Sequence, residues 1–429
     1  MAFEPRLDRI QQLQQLPENA QKNLVPVYLD AVADLDTPVS VLLKLREGNT
    51  HSFLLESVSP GEKIARYSFI GSGPLKVVAT GEGLDFEGDP LVNLEKEMKQ
   101  FRTIELPELS VPMTGGAVGY CSFDAIRHFE PRLAPYIEKQ RDVLKAPESI
   151  YMFFDTVVIF DHVFHSLKIV SHVRLDTDNL EQAYEEAKQK VLKVREALEK
   201  PLARSSSGAH ANASTSTNKI DLEACSNVGQ KGYEGFVTKL KEHIVDGDIF
   251  QAVPSQRIAV DLPSHVKALD LYRQMRAINP SPYMFYLEMG EDFQVVGASP
   301  EMLVKVDHER IVETHPIAGT RHRERAEHIM LVDLGRNDIE KYSHVMHIVS
   351  VVKGVLRDDK TVYDAYRAMF PAATRRVLGL GRDKKVYGQA GGGIVYDSDP
   401  YAEYMETVNK LGSAIRTIEK CSTHLANVQ

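Results

Sequence analysis

The sequence predicts an α+β protein. Strand-like runs occur in both halves of the chain, for example SFLLES at residues 52–57 and YMFYLEM at residues 283–289. Apolar residues at helical spacing mark helices at about residues 179–200 and 401–420. Strand signals do not alternate regularly with helices, as they would in a doubly wound parallel sheet. We therefore expect one large α+β architecture.

Composition excludes several other classes of protein. The chain has 429 residues, of which 43% are hydrophobic and 26% charged, a globular balance. The net charge of -9 argues against nucleic acid as a partner, and no apolar run approaches the roughly 18 residues of a membrane span. Three widely spaced cysteines and an N-terminus without an apolar signal core predict reduced thiols and a cytoplasmic location.

The chain divides at a segment rich in Ser, Thr and Ala. Residues 201–219 hold almost nothing apolar to bury and predict a flexible linker. An N-terminal domain at residues 1–200 precedes it, and a C-terminal domain at residues 220–429 follows. In the C-terminal domain, IFQAVPSQRIAV predicts a strand pair, and a hairpin is expected across Gly290–Asp292.

Two pairs of glutamates are spaced three residues apart, Glu324 with Glu327 and Glu403 with Glu406. On helices each pair would share a face, and two facing pairs would form an oxygen-rich site that suits Mg²⁺. The alternative is that each pair lies on a solvated helix face.

In QAGGGIVYDSDP, a triple glycine precedes a predicted β-run, and the second pair of glutamates follows. Three glycines allow close approach of the backbone and can point N–H groups at an anion. Asp397–Ser398 is expected to cap the following helix, with Pro400 in its first turn. A tight hairpin or bulge is the alternative.

Two further segments contain polar groups of possible chemical use. The turn at residues 316–320 supplies a hydroxyl and a free amide beside Arg321 and Arg323, although it could equally be a surface turn. His347 lies in an apolar run, where a histidine is more often a core residue, but next to a metal it could act as a general acid.

Taken together, these motifs resemble a known family. ETHPIAGTR, ERAEHIMLVDLGRND, YSHVMHIVS, GDIFQAVPSQR and QAGGGIVYDSDPYAEYMETVNK are similar to the chorismate-utilising enzymes, above all to the large, chorismate-binding subunit of anthranilate synthase. The resemblance runs from about residue 25 to residue 418. It implies β-sheets packed in a sandwich flanked by helices. It also implies a Mg²⁺-dependent lyase that aminates chorismate at C2 and eliminates pyruvate to give anthranilate, in tryptophan biosynthesis.

The resemblance also implies roles for individual residues. The metal ligands and their partners would be Glu327, Glu406, Glu324 and Glu403. The substrate pocket would include Gly319, Thr320, Gly391, Gly393 and Gln251. His347 would lie beside the ring and the departing group, and Lys410 would pair with the carboxylates or the substrate.

Two positions separate this chain from sister enzymes. Ala318 stands where aminodeoxychorismate synthases usually carry a nucleophilic lysine, so ammonia must attack here. Gln251 stands where isochorismate-type relatives use a lysine to activate water. An aminodeoxychorismate synthase-like enzyme is therefore the weaker alternative.

Two segments resemble the elements of the family's tryptophan feedback pocket. They contain Leu55, Glu56 and Ser57 on one side, and Asn279, Pro282, Tyr283 and Met284 on the other. A strand and a proline turn in the core would be the alternative interpretation. The sequence has no glutaminase signature, so ammonia from glutamine would require a separate amidotransferase subunit, component II.

Three internal segments of the family are missing, after His322, after Asp338 and, the largest, after Ala372. The last normally supplies groups that hold the carboxylates of chorismate, and its loss should leave core strands with unpaired ladder groups. Either the chain is a shortened variant, or its sequence omits segments that the protein contains. A shortened variant is expected to have little or no synthase activity, which leaves a tryptophan-binding scaffold as a further alternative.

Overall fold

The computed structural model describes residues 3–58, 66–140, 142–202, 219–316, 324–340, 351–369, 377–381 and 383–426. Most of the predicted linker lies outside these residues. The helices are α1 Leu7–Gln14, α2 Pro38–Leu45, α3 Pro90–Met98, α4 Ile126–Phe129, α5 Ala134–Ile137, α6 Leu180–Glu199, α7 Leu222–Cys225, α8 Gly229–Val245, α9 Ala268–Ile278, α10 Glu324–Glu340, α11 Val362–Met369 and α12 Pro400–Ala426. The strands are β1 Leu24–Val32, β2 His51–Glu56, β3 Tyr67–Ser72, β4 Lys76–Thr80, β5 Gly116–Cys121, β6 Ser149–Phe154, β7 Val157–Asp161, β8 Ser166–Arg174, β9 Ser255–Asp261, β10 Tyr283–Met289, β11 Gln294–Ser299, β12 Lys305–Val306, β13 Ile311–Thr314, β14 Val352–Val355, β15 Val377–Leu380 and β16 Lys385–Gly391.

A ten-stranded sheet forms the centre of the fold, with strand order β1-β8-β7-β3-β2-β10-β11-β15-β16-β9. Neighbouring strands are antiparallel throughout. The five strands from the N-terminal half meet the five from the C-terminal half where β2 pairs with β10. This mixture of a large sheet with helices confirms the predicted α+β class.

Both faces of the ten-stranded sheet are covered, because alternate residues of a strand point to opposite sides. Phe53 on β2 faces the three-stranded sheet β4-β6-β5, where its ring meets that of Phe154 edge to face at 4.8 Å. The next residue, Leu54, packs into the core on the other side, which includes Leu42 of α2, Leu269 of α9 and residues of α12. A sandwich with flanking helices results, as the resemblance implies.

Several predicted elements are confirmed. The hairpin across Gly290–Asp292 is β10–β11. The helix expected at residues 179–200 is α6, capped by Asn179, whose side-chain oxygen accepts a 3.0 Å hydrogen bond from the Gln182 N–H. Among the described residues, no helix is both long enough and apolar enough to cross a membrane.

Three local predictions are wrong. IFQAVPSQRIAV forms the single strand β9, because β16 pairs with it and leaves only Ala252 in an isolated bridge. The triple glycine ends a strand rather than preceding one, since β16 stops at Gly391. Among the described residues, β15 pairs with both β11 and β16, contrary to the expectation of unpaired ladder groups beside the largest missing segment.

Candidate functional site

The segment between Gly391 and Pro400 joins the end of β16 to the start of α12. The helix begins here because Oδ1 of Asp399 accepts a 2.8 Å hydrogen bond from the Ala402 N–H and because Pro400 fits a first turn. The predicted cap at Asp397–Ser398 is therefore wrong by one residue. The expected order is unchanged, however, because the triple glycine at residues 391–393, which forms the glycine bend, still precedes the helix α12 that carries the two glutamates.

Glu403 and Glu406 converge on Gly392. A methyl group placed on Gly392 would lie 3.1 Å from Oε2 of Glu403 and 3.8 Å from Oε1 of Glu406. The two residues are three apart on α12, so their side chains share one helix face. The bend thus leaves a space, with no side chain of its own, that both carboxylates border.

Two neighbouring side chains hold the carboxylates in place. The Ser398 hydroxyl donates a 2.7 Å hydrogen bond to Oε1 of Glu403. The ammonium group of Lys410 lies 2.7 Å from Oε1 of Glu406 and also donates to the Gly391 carbonyl at 2.8 Å. Lys410 therefore ties the second carboxylate of α12 to the glycine bend.

The middle amide of the triple glycine already has an acceptor. The Gly392 N–H donates to the hydroxyl of Tyr233 at 3.2 Å, and that hydroxyl donates to the Pro254 carbonyl at 3.1 Å. The expected nest of free amides is therefore incomplete, because one of its three N–H groups is already bonded. Burial, reinforced by the charges of Glu403 and Glu406, raises the pKa of Tyr233 to about 12. The phenol consequently stays protonated at neutral pH.

Sequence reasoning missed Tyr233. It is one aromatic residue on the apolar face of α8, where the pattern indicates core packing and nothing more. Only the fold, which brings α8 against the bend 159 residues later, reveals the polar role of its hydroxyl.

The remaining predicted site residues are partly outside the described structure. Glu324 and Glu327 lie on α10, but their side chains are not among those described. Gly319, Thr320, Ala318 and His347 also fall outside it. Gln251 is half-buried and precedes Ala252, whose backbone pairs with Ile394 just after the triple glycine. Within the described part of the chain, no three His, Cys, Asp or Glu side chains form a metal-binding group.

A second site forms where the two segments of the predicted tryptophan pocket meet. Met284 lies directly opposite Glu56 in the antiparallel pair of β10 and β2. Just beyond the strand, the Val58 N–H donates to the Ser281 carbonyl at 3.0 Å. The fold thus brings together two segments more than 200 residues apart in the sequence.

Glu56 is a buried acid in this second site. Its side chain is 1% exposed, and Tyr272 of α9 donates a hydrogen bond to Oε2. A nitrogen of the Arg276 guanidinium lies 3.4 Å from Oε1, which nevertheless has no hydrogen-bond donor among the described residues. Burial raises the pKa of Glu56 and outweighs the opposing effects of Arg276 and Tyr272.

Further polar atoms in the second site also lack partners in the part of the chain that the structure describes. There, the Ser57 hydroxyl and Nε of Arg276 are buried without a hydrogen bond. Buried polar atoms are normally paired, so a cluster of unpaired ones fits a small polar ligand. Tyr272 and Arg276, four residues apart on α9, were not singled out from the sequence because their spacing is that of any amphipathic helix.

The fold agrees with comparisons to known proteins. The family model described as chorismate binding enzyme matches residues 50–376 and 375–416. The chain belongs to this family of chorismate-binding enzymes. The probable anthranilate synthase component 1 of Schizosaccharomyces pombe is 41% identical, with 96% of each chain covered. Anthranilate synthase component 1 of Saccharomyces cerevisiae is 38% identical, covering 99% of this chain and 98% of the relative.

Solved structures give the same result for the fold. Anthranilate synthase component I from Streptococcus pneumoniae superposes with a TM-score of 0.61 at 26% identity, covering 84% of this chain and 94% of that one. The menaquinone-specific isochorismate synthase of Escherichia coli gives a TM-score of 0.59 over 96% of this chain and 98% of that one. At 12% identity, the second likeness concerns the fold alone.

The comparisons also agree with the absence of internal family segments from this chain. The alignment with the Schizosaccharomyces pombe relative extends over 492 residues, whereas this chain has 429. The relative therefore carries internal segments that this chain lacks. The match to the family model breaks at residues 375–376, close to the largest predicted gap.

Proposed function

We propose that this chain acts as anthranilate synthase component I, converting chorismate and ammonia to anthranilate and pyruvate. The observation that carries the proposal is the convergence of Glu403 and Glu406 on the space at Gly392. Carboxylate oxygens are the ligands that Mg²⁺ prefers, and the site leaves room for a ligand atom beside them. Relatives over nearly the full chain carry the corresponding name.

The residues at the bend would have the following roles in the reaction. Glu406 and Glu327 would be the principal ligands of Mg²⁺, with Glu403 and Glu324 supporting them or reaching the ion through water. When bound, Mg²⁺ would stabilise charge that develops on chorismate as its hydroxyl departs. Lys410 fixes Glu406, and the backbone of Gly391 and Gly393 would border the substrate. Because Ala318 cannot attack the ring, ammonia would be the nucleophile, supplied from glutamine by an amidotransferase subunit.

The test is a fluorescence assay for anthranilate with chorismate, Mg²⁺ and ammonium, which bypasses the amidotransferase. Production of anthranilate that stops on chelation of Mg²⁺ and in the Glu406→Gln variant is expected. Because the side chain of Glu406 is 48% exposed rather than buried in the core, this variant should fold normally by circular dichroism. A well-folded chain that makes no anthranilate would contradict the proposal.

Tryptophan is proposed to bind at the second site and inhibit the enzyme. Its ammonium group would donate to Oε1 of Glu56, which receives no hydrogen bond from any described residue, and the Ser57 hydroxyl would accept or donate a further bond. Pro282, Tyr283 and Met284 would supply apolar walls for the indole ring. Isothermal titration calorimetry with tryptophan tests this, with phenylalanine as the competing ligand. Equal affinity for both amino acids would contradict the assignment.

A second candidate function is a scaffold that binds tryptophan but no longer binds chorismate. The observation that favours it is the alignment of 492 residues against a chain of 429. The family segment lost near residues 375–376 is expected to hold the carboxylates of chorismate. Calorimetry separates the two functions, because binding of tryptophan without binding of chorismate supports the scaffold.

A further inference from the structure

Tyr233 links two backbone segments that border the candidate metal site. Its hydroxyl accepts a hydrogen bond from the Gly392 N–H at 3.2 Å and donates one to the Pro254 carbonyl at 3.1 Å. Pro254 lies directly before β9, and Gly392 lies directly after β16, so the hydroxyl joins two neighbouring strands beyond their last paired residues. The side chain is fully buried in a cluster with Val237, Ile394 and Tyr404.

The same hydroxyl borders the space at Gly392 together with the two carboxylates of α12. A methyl group on Gly392 would lie 3.6 Å from the Tyr233 hydroxyl, 3.1 Å from Oε2 of Glu403 and 3.8 Å from Oε1 of Glu406. The phenol therefore holds the amide of Gly392 at the point where the bend approaches both carboxylates.

We propose that Tyr233 is a positioning residue for the cation site, acting through the Gly392 amide. By holding that amide, it fixes the position of the glycine bend beside the carboxylates of Glu403 and Glu406, so the space that they border keeps the shape a metal ion requires. It also withholds the amide from any anion in the site. In this role Tyr233 acts through the backbone and is not itself a ligand of the metal. The inference rests on the proposed function, since it concerns the same cation site.

The experiment measures Mn²⁺ affinity of the full chain by calorimetry, at a temperature well below its melting point. Tyr233→Phe keeps the ring and removes only the hydroxyl. Because one hydrogen-bonding group with two buried partners is lost, we expect Mn²⁺ to bind about threefold to tenfold more weakly. Hydrogen exchange at the Gly392 amide should accelerate in the same variant, since that N–H has lost its acceptor.

Two control variants separate positioning from general packing. Val237→Ala removes buried volume from the same cluster, one turn further along α8, and should lower the melting temperature without changing Mn²⁺ affinity. Tyr404→Phe removes the hydroxyl of the neighbouring ring, 6.3 Å away between centroids, and should leave both the affinity and the Gly392 exchange rate unchanged.

The outcomes distinguish this inference from the function on which it rests. If the unaltered chain binds no Mn²⁺, the proposed cation site fails and the inference fails with it. Equal Mn²⁺ affinity in the unaltered chain and in Tyr233→Phe overturns the inference alone. So does an equal loss of affinity in Val237→Ala, since the effect would then be one of packing.

Discussion

Gly392 faces the carboxylate of Glu403 across a gap that a single methyl group would fill. Such a group would lie 3.1 Å from Oε2, closer than ordinary van der Waals contact. The other carboxylate oxygen, Oε1, is held by the Ser398 hydroxyl at 2.7 Å. The hydrogen bond from Ser398 therefore restrains the side chain of Glu403. The gap between Glu403 and the bend exists because residue 392 has no side chain.

Gly392→Ala is expected to weaken the binding of Mg²⁺ by about tenfold, since a methyl group crowded against an existing side chain costs about 1–3 kcal/mol. The added methyl would push on Oε2 of Glu403 and displace it from its position beside Glu406. Titration calorimetry with Mg²⁺ measures the change. Unaltered affinity would show that the two carboxylates do not bind the ion at this bend.

Gly412→Ala is the matched control on the same helix. A methyl group there meets nothing within 4 Å, and alanine favours an α-helix over glycine by about 0.5–1 kcal/mol. Mg²⁺ affinity should remain unchanged while the melting temperature stays equal or rises slightly.

Ser398→Ala is expected to lower Mg²⁺ affinity roughly tenfold, as losses of partners to metal ligands commonly do. The variant removes the hydrogen bond that orients Glu403 and also the acceptor of the Val395 N–H. Ser422→Ala serves as the control, because its hydroxyl bonds only to the Ile418 carbonyl further along the same helix. A similar loss in both variants would speak against a specific role for Ser398.

Much of the fold could be predicted because local signals and tertiary structure agree. The β10–β11 hairpin and the capped helix α6 follow from alternation, turn residues and Asn179, which are all local in the sequence. The order of strands could not be predicted in this way. The pairing of β2 with β10 joins residues more than 200 positions apart, and nothing local in either strand identifies its partner.

The candidate site shows the same limit. The spacing of Glu403, Glu406 and Lys410 predicts a shared helix face, and the structure has that arrangement. The bonded amide of Gly392 could not be predicted, because its acceptor is a phenol on a distant helix. For the same reason, Tyr272 and Arg276 were recognisable only after α9 had been placed over Glu56.

Gly71→Ala tests the packing between the two sheets. A methyl group on Gly71 would lie 2.3 Å from the ring of Phe53 and 3.0 Å from that of Phe154, in the buried contact between β2 and β6. We expect the free energy of unfolding to fall by about 1–3 kcal/mol, as overpacking of a core usually costs. Urea denaturation measures it, with Gly235→Ala, which has open space at its α-carbon, as the control. A change no larger than that of the control would mean that the rings rearrange freely.

Tryptophan binding should weaken as the pH falls, because its ammonium group needs the ionised form of Glu56. Burial raises the pKa of Glu56, so the carboxylate takes up its proton at a higher pH than an exposed glutamate does. The stability of the chain without tryptophan changes in the opposite direction with pH. Glu56 contributes to the free energy of unfolding below its ordinary pKa, and this contribution is lost as the pH rises through the raised pKa of the folded state. Calorimetric titration with tryptophan across this pH range measures the first effect.

Glu56→Gln removes the group responsible and should abolish this pH dependence, with tryptophan bound roughly tenfold to hundredfold more weakly at neutral pH. His162, whose pKa is lowered by burial and by Arg276, also lies near this site and could add a charge in acid. Any pH dependence of tryptophan binding that remains in Glu56→Gln measures the contribution of His162. Glu288→Gln is the control, because that carboxylate on β10 also pairs with an arginine and a serine, Arg46 and Ser52, but outside the pocket. If Glu288→Gln weakens tryptophan as much as Glu56→Gln does, Glu56 is not the residue that receives the ammonium group.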